Sequence, residues 1–166
     1  MDKYNRTIKG RLSKSRGQAF EDIIEASCRY YRGKGVADIL KSSEPMRPLS
    51  KPNSKGQFLA CFTKKSGPDY VGVLNGGSFI ALEAKHTDAD RLQQSVVSEE
   101  QEKQLNRHTA LGAKCFVIVS FRFQQFFKIP WEVFRDMKAR YGRKYIRPKD
   151  VQEYKVRYAG GILPFL

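Results

Sequence analysis

Apolar and polar positions along the chain fall into segments of distinct period. Over residues 17–32 the apolar positions recur at helical spacing, with Phe20, Ile23, Ile24, Ser27 and Tyr31 on one face, and Gly33-Lys34-Gly35 ends the run. Residues 36–40 read as a short strand, and residues 57–62 as a strand leading toward Asp69. Asp69-Tyr70-Val71-Gly72 and Phe79-Ile80-Ala81-Leu82-Glu83-Ala84-Lys85, joined across Asn75-Gly76-Gly77, predict a β-hairpin. Ser98-Glu99-Glu100-Gln101 predicts a capping box, opening a helix that places Gln101, Leu105, His108 and Leu111 on one face before Gly112. Cys115-Phe116-Val117-Ile118-Val119 is apolar throughout, so residues 114–123 predict a central strand buried on both faces, with residues 126–129 beside it. Pro130 opens a last helix whose inner face is Val133, Phe134, Met137 and Tyr141. Trp131 and Ile162-Leu163-Pro164-Phe165-Leu166 are apolar enough to bury in the core or in a dimer seam.

At 166 residues, 40% of them hydrophobic and 12% aromatic, the chain suits one globular domain. The formal charge of +14 implies a polyanionic partner, for which nucleic acid is the default, although a ribosomal or membrane-surface protein can be as basic. Cys28, Cys61 and Cys115 are widely spaced and lack the pairing of a zinc site, so they read as reduced thiols. No apolar run approaches the roughly 18 residues of a membrane span, and the basic N-terminus has no apolar core of a signal peptide; a soluble, intracellular protein without a membrane partner is expected.

Charge is unevenly placed. Residues 1–16 carry Lys3, Arg6, Lys9, Arg11, Lys14 and Arg16 against Asp2, and read as a flexible basic arm, either a solubility tail or a phosphate contact. Residues 17–166 then form the single domain. Residues 41–66 combine prolines, glycine and serines with Lys41, Arg47, Lys51, Lys55, Lys64 and Lys65, a stretch too long for an ordinary connection. It reads as a projecting basic element or a disordered loop. Residues 140–149 interleave Arg140, Arg143, Lys144, Arg147 and Lys149 with Tyr141 and Tyr145, a composition suited to backbone contact and base stacking.

The hairpin carries the candidate chemistry. A three-residue turn pairs Leu74 with Ser78 and, counting outward, Asp69 with Glu83, whose Cβ atoms would then lie roughly 5 Å apart on one face. A turn one residue longer or shorter would place them on opposite faces. Two carboxylates so close raise one pKa unless a cation sits between them, and hard oxygen ligands suit Mg²⁺ or Mn²⁺. Lys85 shares the face of Glu83 and could stabilise an anion, which outlines a phosphodiesterase site. An acid and a lysine two apart also occur on plain solvated faces; the apolar run 79–82 in front of them argues against that here. Glu21, with Asp22 and Glu25, is accounted for by the helix dipole alone, and Gln101 by a bond to backbone. His86 and His108 lack the partners of a catalytic constellation.

Pro68-Asp69 followed by Glu83-Ala84-Lys85 resembles the PD…(D/E)xK signature of the restriction-endonuclease-like nucleases. More closely, the chain is similar to the RecU family of Holliday-junction resolvases. Arg16-Gly17 with Phe20-Glu21, Asp69-Tyr70-Val71-Gly72, Glu83-Ala84-Lys85-His86-Thr87, Gln101 with Leu105, Cys115-Phe116-Val117-Ile118-Val119 and Gly142-Arg143-Lys144 stand in that family's order with similar spacing. The resemblance implies an α/β restriction-endonuclease-like core, a mixed β-sheet flanked by helices, with residues 41–66 as a stalk that enters the junction. It implies a Mg²⁺-dependent endonuclease, with Mn²⁺ as substitute, held by Asp69, Glu83, the Ala84 carbonyl and, for a second metal, Glu21. Lys85 and Gln101 complete the catalytic set. Arg11, Lys14, Arg16, Arg47, Lys51, Lys55, Lys64, Lys65, Arg143 and Lys144 are the expected DNA contacts. A four-way junction as substrate, a homodimer, a recombinase as further partner, and a place in the cytoplasm with the nucleoid (the host cytoplasm for a phage protein) follow from the same resemblance. Two other readings stay open: a different DNA endonuclease or nickase on the same core, and a non-catalytic basic DNA-binding or recombination-modulating module.

Overall fold

A computed structural model describes residues 3–43, 45–63 and 67–166, with the backbone alone for residues 3–9. Lys64 and Lys65, two of the expected DNA contacts, lie outside the described residues. The chain opens with helix α1 (Lys3–Gly33), followed by strands β1 (Ala37–Lys41), β2 (Met46–Pro48), β3 (Ala60–Phe62), β4 (Tyr70–Leu74), β5 (Phe79–Thr87) and β6 (Leu92–Gln93). Helix α2 (Glu99–Ala110) leads into β7 (Lys114–Phe121) and β8 (Gln125–Pro130). Two short helices, α3 (Trp131–Arg135) and α4 (Met137–Tyr141), then β9 (Tyr145–Ile146), a 3₁₀ segment and β10 (Lys155–Val156) complete it.

The main sheet has the order β1-β4-β5-β7-β8-β10. All its neighbours are antiparallel except β5 and β7, which α2 connects as a parallel pair. The expected mixed sheet between helices is therefore present. On one face Phe20, Ile24, Cys28 and Tyr31 of α1 pack on Ile39, Ile80, Leu82, Phe116 and Ile118. On the other, Leu105 of α2, Trp131, Phe134 and Met137 pack on Ala81, Val117, Val119, Phe127 and Ile129. Successive residues of β7 thus enter opposite cores, which is why its run is apolar without alternation.

The period of α1 places the expected residues inward, and a left-handed Gly35 closes the helix, with Val36 N–H donating to the Tyr31 carbonyl and Gly35 N–H to that of Arg32. The helix starts at Lys3, however, well before Gly17. Residues 10–16 are exposed, so they enter neither core. Once residues 17–32 are helical, adding each further residue costs little, and the arm's Arg, Lys and Leu residues suit a helix. The expected flexible arm is therefore a continuation of α1. An ion pair from Arg16 to Asp88 ties its base to the loop after β5.

Residues 41–66 hold a separate two-stranded sheet, β2 with β3, in place of a structureless loop. Pairing extends outward through Leu49 N–H to the Leu59 carbonyl at 2.7 Å, and Asn53 closes the tip with Gln57 at 2.8 Å. Every residue from 45 to 59 is exposed, so this hairpin contributes nothing to either core. The strand expected over 57–62 is confined to Ala60–Phe62.

The helix expected after Pro130 is split at Asp136, the C-cap of α3 and N-cap of α4. Its inner face is as expected for Val133, Phe134 and Met137. The terminal apolar residues enter the α1-side core: Leu163 and Phe165 are buried, Leu163 N–H donates to Ser27 Oγ at 2.9 Å, and the Tyr31 hydroxyl lies 3.5 Å from the Leu163 carbonyl. No helix among the described residues is long and apolar enough to cross a membrane.

Candidate active site

The hairpin register is the one that brings carboxylates together. Gly76 and Gly77 both take positive φ, Leu74 N–H donates to the Ser78 carbonyl at 2.9 Å, and the ladder runs Val73 with Phe79 to Tyr70 with Leu82. Asp69 and Glu83 are the next pair outward, and Asp69 N–H donates to Glu83 Oε1 at 3.2 Å. Glu83 shares the face of Ala81, toward α2, and is fully buried. Ala84 N–H donates to Asp69 Oδ2 at 3.0 Å. Lys85 Nζ bridges the two carboxylates, 2.6 Å from Glu83 Oε2 and 3.2 Å from Asp69 Oδ2.

Gln101 arrives from α2. Ser98 Oγ accepts from the Gln101 N–H while Gln101 Oε1 accepts from the Ser98 N–H at 2.9 Å, so the capping box fixes the amide. With its oxygen committed, Gln101 Nε2 points at the acids, 2.9 Å from Glu83 Oε2 and 3.4 Å from Asp69 Oδ1. Leu105 is buried one turn on; Leu111, expected on the same face, is instead the exposed C-cap residue, because the helix stops at Ala110. Ser98→Ala is expected to lower the unfolding free energy by about 1 kcal/mol through loss of this cap, read as a fall in Tm.

The electrostatics follow from burial. Desolvation pushes the Glu83 carboxyl up to about 8, with Lys85 opposing the rise and Asp69 adding to it. Burial disfavours the Lys85 charge, but the Glu83 and Asp69 carboxylates outweigh it and hold the ammonium above its ordinary range. One cation thus faces two carboxylates.

Glu21 stands apart from this pair. Among the described residues no three His, Cys, Asp or Glu side chains group as metal ligands. Glu21 lines the same cleft as Asp69 and Gln101, with Ser42 and Met46, but its carboxylate is held by Lys41 Nζ at 2.6 Å. The Tyr70 hydroxyl donates to the Glu21 carbonyl at 3.2 Å, fixing α1 against β4. Lys41 was not legible as a site residue: its only signal is its place at the end of a strand.

The expected DNA contacts scatter. Arg11 and Lys14 are exposed on α1, Arg47 on β2, and Lys51 and Lys55 at the hairpin tip. Arg16 is engaged by Asp88, and Arg143 by Asp150 and the Tyr141 carbonyl, whereas Lys144 is exposed.

A sheet whose central hairpin sets aspartate and Glu-x-Lys side by side, with Asp69 and Gln101 lining a cleft, defines the candidate active site of a nuclease. The family model described as Recombination protein U matches residues 15–166, and the chain belongs to that family. It is 29% identical over 157 residues to the Holliday junction resolvase RecU of Streptococcus pneumoniae (strain Taiwan19F-14), covering 90% of this chain and 79% of the relative. The same protein of strain ATCC BAA-255 / R6 is 28% identical over the same length. Among solved structures, the 1.6 Å structure of Archaeoglobus fulgidus Hjc, a Holliday junction resolvase from an archaeal hyperthermophile, is similar with a TM-score of 0.43 and 18% identity, over 71% of this chain and 75% of that one.

Proposed function

We propose that this chain is a metal-dependent endonuclease that resolves Holliday junctions by hydrolysing phosphodiester bonds. The observation that carries the reading is the Asp69–Glu83–Lys85–Gln101 cluster, two members of which, Asp69 and Gln101, line a cleft, in a chain of the Recombination protein U family.

The donor set suits a hard divalent cation. Asp69 and Glu83 offer carboxylate oxygens about a shared point, where a divalent cation would take the place of the proton that burial holds on Glu83. Asp69, Glu83 and the Ala84 carbonyl would hold Mg²⁺, or Mn²⁺ in its place. The ion supplies Lewis acidity toward the phosphate and acidifies water. Lys85, held by both acids, presents positive charge where the phosphate gains negative charge. Gln101 keeps the carboxylates oriented from the α2 side. Glu21, facing the cleft from α1, is the carboxylate available to accept a proton or approach a second ion once Lys41 moves aside.

Substrate shape is assigned to the β2–β3 hairpin. It is exposed and basic through Arg47, Lys51 and Lys55, and it leaves the fold beside the cleft, where Ser42 Oγ donates to the Pro68 carbonyl at 2.6 Å. In a two-fold dimer, two such hairpins could fill the centre of an open four-way junction, a cavity that linear duplex lacks. A recombinase partner and a cytoplasmic, nucleoid-associated location accord with the same role.

The test compares a four-way junction with a linear duplex of the same arms, with Mg²⁺ and with chelator. Cleavage confined to the junction and to Mg²⁺ is expected. Shortening the hairpin between β2 and β3, or neutralising Arg47, Lys51 and Lys55 together, should cost junction affinity more than duplex affinity. Equal loss on both substrates would make the hairpin a general phosphate surface. Metal-independent binding without cutting would favour the non-catalytic module.

A further inference from the structure

The short ladder of β6 with β9 holds a charge arrangement that the cleavage site does not use. Leu92 opposes Ile146 and Gln93 opposes Tyr145. Leu92 and Ile146 turn inward and are buried in the α2-side core. By alternation, Gln93, Tyr145 and the next pair outward, Arg91 and Arg147, belong to the outer face. Two arginines opposite each other on one face repel. Both nevertheless lie over the Tyr145 ring, 5.1 and 5.6 Å from its centroid, and Arg143 adds a third guanidinium at 5.0 Å.

The neighbouring acid does not neutralise this group. Asp150 takes Arg143 Nη2 and the backbone N–H of Arg147, leaving the guanidinium groups of Arg91 and Arg147 without a carboxylate among the described residues. The Nε atoms of Arg143 and Arg147 are buried and have no hydrogen-bond partner. A ring face attracts each cation singly, yet it does not remove the repulsion among three. What would remove it is an anion on the outer side, and the planar guanidinium fork matches phosphate.

The position relative to the cleft limits which phosphate this could be. Arg91 follows Lys85 by six residues, which span at most about 20 Å. At roughly 3.4 Å per base pair, that is about six base pairs of duplex. We infer that Arg91, Arg147 and Arg143, gathered on Tyr145, hold backbone phosphates of the DNA arm within about half a helical turn of the cleaved bond. The inference rests on the nuclease reading above.

The test is equilibrium binding of a labelled four-way junction in chelator over a salt series, followed by anisotropy, for wild type, Arg91→Gln, Arg91→Gln/Arg147→Gln and Arg91→Lys/Arg147→Lys. Each lost phosphate contact should reduce the slope of log K against log[salt] by about 0.9 and weaken binding about eightfold at 0.1 M salt. The lysine pair, which keeps the charges and loses the fork, should retain the wild-type slope. Arg91 is exposed, so the single variant reports binding even where the double variant unfolds. A folded Arg91→Gln protein with the wild-type slope overturns the inference. So does inorganic phosphate that raises the Tm of wild type and not of Arg91→Gln while the DNA slopes coincide, because the cluster would then take a small anion. Wild type that binds no junction overturns the nuclease reading itself, a different result from wild-type binding that Arg91→Gln leaves unchanged.

Discussion

Glu83→Gln is expected to abolish cleavage, by on the order of 10³-fold or more, while the folded protein gains stability at neutral and alkaline pH in chelator. Glu83 is fully buried, and burial lifts its carboxyl to about 8 from an ordinary 4.5. Between those values the folded state holds a proton that the unfolded chain has released. Stability therefore falls as pH rises from about 4.5 to about 8 and levels off above, a loss of up to a few kcal/mol. The glutamine keeps the shape and the contact with Gln101 without the charge, so its curve should be flat over that window. Lys85 does not contribute there, since its raised pKa keeps it protonated throughout. Lys85→Ala should also lose cleavage, and its stability should go on falling to a higher pH, because losing the ammonium that opposes the rise lifts the Glu83 carboxyl further. Urea denaturation at pH 5 and pH 8 in chelator, beside a junction-cleavage assay, measures both effects. A metal-free wild type equally stable at both pH values would refute the electrostatic account; a folded Glu83→Gln protein that still cuts at the wild-type rate would remove Glu83 from the site.

Gly72→Ala should cost about 3 kcal/mol or more, a larger penalty than most core substitutions bring. Gly72 sits on β4 opposite Ile39 of β1. A Cβ there would lie 2.1 Å from the Asp38 carbonyl oxygen and 2.6 Å from the Ile39 Cα, both backbone atoms that cannot rotate away. Relief requires β1 to separate from β4, which carries Lys41 away from Glu21 and Ser42 from Pro68. Gly67→Ala is the control. Its Cβ would meet Gln104 Oε1 at 2.2 Å, the far end of a flexible side chain whose amide bonds, among the described residues, only to Glu100 one turn away, so the cost should be small. The urea midpoint at constant m-value separates them; similar shifts for the two variants would show that β1 yields easily.

The parts of the site legible in the sequence are those fixed by local geometry. Turn length and alternation set the hairpin register, and through it the meeting of Asp69, Glu83 and Lys85. Ser98 and Gln101 were legible because a capping box is a spacing of three residues. The errors have equally local causes. Residues 3–16 show no apolar stripe, since their helix is propagated from the packed turns that follow. Leu111 fits the helical period but falls just past the last helical residue, and Asp136 interrupts a helix whose apolar face continues across it. The β6–β9 ladder is too short for any period, and Arg91 reaches Tyr145 only because distant segments pair. Lys41 meets Glu21 through the docking of α1 on the strands, which no short-range pattern encodes.

The seating of Leu163 and Phe165 against Ser27 and Tyr31 has a consequence for how the molecule is made. Ile39, Ile80 and Leu82 reach the inner stripe of α1 from nearer in the sequence, whereas Leu163, the partner of Ser27, is made more than a hundred positions later. At roughly 5–20 residues per second, translation leaves the Ser27 and Tyr31 part of that stripe uncovered for on the order of ten seconds. During that interval the helix is an amphipathic, strongly basic nascent segment, and nucleic acid near the ribosome is a natural competitor for it. The α1-side core therefore cannot close before Leu163 and Phe165 have been made.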